Sequence, residues 1–112
     1  MIIRIDRLKW LRSETNSYLL RSEDGKMCCL GQIGKSLGVP REDLLDTGAP
    51  SDCTEGSKEL FPEAIFSIFD WSSLEYHLIS INDTSITQDS YKERKIEEAF
   101  FNKAGIIIEF IN

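Results

Sequence analysis

The chain opens with MIIRID and closes with GIIIEFIN, so isoleucine-rich segments interrupted by single charges stand at both ends. Residues branched at Cβ pack well on a pleated surface and lose rotamer freedom in a helix, so both segments are expected to be strands, over 2–5 and 106–111. In the second, alternation puts Ile106, Ile108 and Phe110 on one face and Ile107, Glu109 and Ile111 on the other. A chain of 112 residues buries only about two thirds of its unfolded surface, which is enough for one core. The segments between must then pack on the same strands. The expected fold is α+β, a single globular domain over 1–112 in which about three helices cover a small, mostly antiparallel sheet of three to four strands.

Between the ends, DRLKWLRSE reads as a helical turn or loop, SYLLR (17–21) as a short strand, and SEDGK as a turn in which Gly25 takes positive φ. Cys29, Ile33 and Leu37 recur at helical spacing with Leu30 beside them, so a helix is expected from Met27 until Gly38, with Pro40 beyond it. REDLLDT allows a further turn and a half. The stretch 47–62, TGAPSDCTEGSKELFP, is dense in turn residues and acids and reads as a long loop. EAIFSIFDW is apolar enough to be buried as either strand or helix. Leu74, Leu78 and Ile81 favour a helix over 72–82. Ser90 and Glu93 have the spacing of a capping box for a last helix through Ile96, Ala99, Phe100 and Lys103, ended by Gly105.

Charge is distributed unevenly. Residues 1–40 carry seven Lys/Arg against four acids, 41–90 carry two against eleven, and 91–112 balance four against four, for a net charge of −6. Arg4, Asp6, Arg7 and Lys9 interrupt any apolar run at the start, so a secretory signal of the usual form is not expected. Glu109 breaks the longest apolar run, so neither is a membrane span. Cys28, Cys29 and Cys53 are odd in number and two are adjacent, a poor disulfide framework that points to a reducing cytoplasm.

Gly34-Lys35-Ser36 resembles the end of a phosphate-binding loop, but the glycine that loop needs five positions before Gly34 is Cys29. Gly31, Gly34 and Gly38 instead line one side of the expected helix and leave it bare for close packing. Cys28 and Cys29 point about 100° apart on a helix; Cys29 suits the core and Cys28 is expected to be partly accessible. Cys28, Cys29, Cys53 and His77 contain no C-x₂₋₄-C pair, so no metal is expected, nor any cofactor or catalytic residue. A Cys-dependent or metal-assisted enzyme using Cys28 and His77 is the least favoured alternative.

Two binding readings remain. Arginine forks beside an aromatic ring suit phosphate and a stacked base, so Arg7, Trp10, Arg12 and Lys26 are candidates for a nucleotide-like small ligand. The acidic middle, with Cys53, Leu60, Phe61 and Trp71 interspersed, would dock on a basic partner through Asp43, Asp46, Asp52, Glu55 and Glu59. Its charge would repel nucleic acid directly.

The segments IDRLKWLR, SYLLRSEDGKMCCLG, IND and GIIIEFIN carry a resemblance to a family of small bacteriophage and prophage proteins with no assigned activity. The match covers both ends and the first third of the chain and leaves 41–70 unplaced. The resemblance implies a setting in the cytoplasm of a bacterial host. By association with small acidic phage proteins such as anti-CRISPR proteins, it implies a non-enzymatic inhibitor of a host protein, a nucleic-acid-binding defence complex being one such target.

Overall fold

The computed structural model describes residues 1–12, 18–69, 72–84 and 88–112. In chain order the elements are β1 (Ile2–Asp6), α1 (Cys29–Ser36), α2 (Arg41–Leu44), α3 (Glu55–Lys58), β2 (Ile68–Phe69), β3 (Ser72–Ser73), α4 (Leu74–Asp83), α5 (Asp89–Ala104) and β4 (Ile107–Ile111). Single 3-10 turns lie at Arg7–Lys9, Pro50–Asp52 and Glu63–Ile65. No helix among the described residues is long and apolar enough to cross a membrane.

The class is α+β, but the sheet differs from the expected one. β1 and β4 pair in parallel, from Ile2 opposite Ile107 to Asp6 opposite Ile111. The remaining strand pair among the described residues is the two-residue antiparallel β2–β3. A two-stranded parallel sheet with five helices therefore replaces the three-to-four-stranded, mostly antiparallel sheet with about three helices. Isoleucine content marks a strand without giving its direction, and parallel pairing needs a long crossover, which here is the whole helical body. The short strand expected near 19 joins neither sheet: Leu19 N donates to Thr47 O at 2.7 Å and Leu20 N to Leu44 O at 3.1 Å, beside the end of α2. Ser17 of that segment, Ser13 and Glu14 of the entry segment, and Asp70 and Trp71 lie outside the described residues.

Ile3, Ile5, Ile106 and Ile108 bury the inner face of the sheet against Leu30 and Ile33 of α1, Leu74 and Leu78 of α4, and Ile96 and Phe100 of α5, in one core. Full burial of such a side chain is worth about 1.5–3 kcal/mol. The bare side of α1 is used at Gly31 and Gly34, whereas Gly38 lies beyond the helix at φ 95 with nothing packed against it. A Cβ on Gly31 would stand 1.7 Å from Leu19 O, and one on Gly34 would stand 2.8 Å from Phe61 Cζ. Here the backbone of Tyr18–Leu20 lies directly on the helix.

α5 begins at Asp89 with Gln88 as N-cap and no side-chain capping bond, so the expected Ser90–Glu93 box does not form. Glu93 is instead taken by Arg7, with Nε and Nη2 donating to its two oxygens at 2.9 and 2.6 Å. The expected loop 47–62 contains α3 and is pinned. Asp43 accepts from Thr54 Oγ1 and Ser57 Oγ, and Glu75 accepts from Ser51 N and Oγ.

A buried polar hub joins the layers. Asn82, 1% exposed, accepts at Oδ1 from Trp10 Nε1 (2.7 Å) and Cys29 N (3.1 Å), and its Nδ2 donates to Leu11 O (2.9 Å). Cys28 offers no side-chain cap to α1, so Asn82 satisfies the helix's first N–H from across the core. Lys92, also fully buried, donates from Nζ to Asn82 O at 3.2 Å, and desolvation lowers its pKa.

Candidate functional site

The expected ligand residues divide between two places. Arg7 is held by Glu93, whose hydrogen bond raises the guanidinium pKa, and lies over the Phe110 ring. Trp10 is 3% exposed, with its ring centroid 4.9 Å from that of Phe110 and Arg12 4.7 Å above it. Arg12 pairs with Asp89 at 2.8 Å. Arg7, Trp10 and Arg12 thus form a seam that fastens the entry segment to α5 and β4. Lys26 lies elsewhere, in a cavity.

That cavity, about 640 Å³, opens between the 3-10 turn after β1, the turn at 24–27, the end of α1 and α2. Its floor is Leu20, Met27, Val39 and Leu44, buried aliphatic and thioether side chains, with Leu8 exposed at the lip. Its rim carries Lys9, Lys26, Lys35 and Arg41, all exposed, none with an ion-pair partner among the described residues. The one acid lining it, Asp24, is held by Arg21 at 2.6 Å, which lowers its pKa to about 2 together with the Lys26 backbone N–H. A second cavity of about 280 Å³ adjoins the first through Lys9, Met27 and Lys35 and adds Arg4, Asp6, Gln32 and Ser36. In it Gln32 is occupied, bridging the free edge of β1 through Asp6 N (2.7 Å) and Asp6 O (3.0 Å).

The local sequence accounts for this placement. In RLKWLR, the 3-10 turn Arg7–Lys9, capped by Asp6 Oδ1 on Leu8 N, turns Lys9 and Leu8 toward the cavity while Arg7 and Trp10 face α5 and β4. A concave site of this size with an aliphatic floor and a few convergent charges suits a small organic ligand. Four like charges around one opening repel each other and focus a positive potential that an anion relieves. Lys9, Lys35 and Arg41 are not among the expected ligand residues, and Lys35 stands out in the sequence only for the likeness of Gly34-Lys35-Ser36 to the end of a phosphate-binding loop.

The expected acidic residues are not equivalent. Asp43 clips α2 to α3 through Thr54 and Ser57, which lower its pKa, and Asp46, at φ 53, accepts from Ser22 N and Oγ, which lower its pKa too. Glu55 pairs with Lys58 at 3.2 Å. Asp52 and Glu59 are exposed, as are Glu42, Glu63 and Leu60. Cys28, expected to be partly accessible, is 2% exposed, and burial pushes its thiol up to about 12. Cys29 is buried as expected, and His77 is exposed. Among the described residues no three His, Cys, Asp or Glu side chains converge to hold a metal.

Comparisons with protein-family models, with curated proteins and with solved structures yield no significant match to this chain.

Proposed function

We propose that the protein binds a small organic anion in the cavity above Leu20, Met27, Val39 and Leu44. Its charged group would sit between Lys9 and Lys35, which line both cavities. The observation that carries this is four cations with no ion-pair partner among the described residues, around a concave aliphatic floor where the acid among the described lining residues, Asp24, is paired with Arg21. A nucleotide-like ligand would be held there without ring stacking, because no aromatic side chain lines the cavity among the described residues. The probe is anilinonaphthalene sulfonate, an apolar ring system with one anionic group, titrated into native protein at low and high salt. Saturable fluorescence enhancement that weakens with salt and falls about tenfold in affinity in Lys9→Glu and Lys35→Glu supports the reading. Binding that is unaltered in both variants refutes it.

A second reading rests on the exposure of Asp52, Glu59 and Glu63 and of Leu60, which is 42% exposed. These groups would dock on a basic surface of a bacterial host protein, in the manner of a phage inhibitor, while Asp43 holds α3 between Asp52 and Glu59. Charge reversal at Asp52 and Glu59, with retained fold, should then abolish capture of a host partner; capture at wild-type level refutes it.

A further inference from the structure

Parallel sheets are ordinarily covered on both faces, because their crossovers lay helices over them. Here the helices cover one face and the other is open. Outward along β1 lie Ile2, 50% exposed, and Arg4; outward along β4 lie Ile107, 46% exposed, Glu109, and Ile111, 37% exposed. The register puts Ile2 beside Ile107 and Arg4 beside Glu109, and Arg4 Nε stands 3.2 Å from Glu109 Oε1. The open face is therefore one apolar row next to one row of opposite charges, followed by a row in which Asp6 stands beside Ile111.

We infer that this face is a self-association surface whose occupant is a second copy of the chain, related by a two-fold axis running along the strands. Such an axis places β1 over the partner's β4 with rows matched, Ile2 above Ile107 and Arg4 above Glu109, each twice. A two-fold axis across the strands sets Arg4 on Arg4 and Glu109 on Glu109 and is disfavoured. A foreign partner of a single charge meets one of the two groups with repulsion, whereas a second copy satisfies both. Two strands of five residues cover far less than the roughly 800 Å² per partner of a standard interface, so the dimer is weak and concentration-dependent.

The test is sedimentation equilibrium at low salt, from micromolar to millimolar protein. The expected result is a mass rising from monomer toward dimer in the wild type. Monomer is expected throughout in Ile107→Asp and Arg4→Glu, and dimerisation should return in Arg4→Glu combined with Glu109→Arg, which re-forms the charge pair within the chain and across the axis. A wild type that stays monomeric at millimolar concentration overturns the inference. So does an Ile107→Asp variant with wild-type circular dichroism that still dimerises, or a charge-swapped double variant that folds but stays monomeric.

Discussion

Arg7, Trp10 and Arg12 on one side of the entry segment, and Leu8, Lys9 and Lys26 on the other, are similar residues put to opposite uses. In the seam every polar group is matched: Arg7 with Glu93, Arg12 with Asp89, Trp10 Nε1 with Asn82. At the cavity the cations have no partner among the described residues. The difference separates charges that stabilise the fold from charges left available to a ligand. Buried polar groups are costly unless bonded, so the seam is complete, whereas exposed lysines are solvated and can wait for an anion.

The frame shared by both regions should be the most sensitive to substitution. Gly31→Ala puts a Cβ within 1.7 Å of Leu19 O, so loss of the native fold is expected, read as an absent cooperative melt and lost near-UV circular dichroism. A cooperative melt near wild type would mean the Tyr18–Leu20 backbone moves aside freely. Asn82→Leu acts on the seam and on the start of α1, away from the cavity: it leaves Trp10 Nε1, Cys29 N and Leu11 O unpaired and should cost about 3 kcal/mol or more by urea denaturation. Lys9→Glu with Lys35→Glu should do the reverse, leaving the melt nearly unchanged while weakening anilinonaphthalene sulfonate at least about tenfold. Equal loss of stability in both experiments would erase the distinction between seam and cavity.

A smaller effect is expected in acid. Asp43, Asp46 and Asp24 titrate below the usual 3.8 in the folded state, Asp24 near 2. The stability they contribute is complete above the unfolded value and disappears as pH falls through the folded values. Asp43→Asn should therefore flatten the decline in melting temperature as pH falls below about 4, and a slope identical to wild type would remove Asp43 as the α2–α3 clip.

Much of the helical layout was legible. The Cys29, Ile33, Leu37 spacing and the glycine-lined side of α1 signalled both the helix and its close packing, and Leu74, Leu78 and Ile96, Phe100 marked the core faces of α4 and α5. The capping box at Ser90 was a local signal that a distant group outcompeted, since Arg7 offers Glu93 two charge-assisted hydrogen bonds. Of the cavity's cations only Lys26 stands among the expected ligand residues, because the four come from segments up to thirty-two residues apart, from Lys9 to Arg41.

Local periodicity and composition sufficed for helix faces, for strands at both ends, and for which residues of 106–111 share a face, since these depend on residues a few positions apart. Strand direction, the Asn82 hub and the division of RLKWLR between seam and cavity depend on where the chain returns after the helical crossover. They follow from long-range pairing of groups that must be satisfied once buried, and only the assembled tertiary structure brings those groups together.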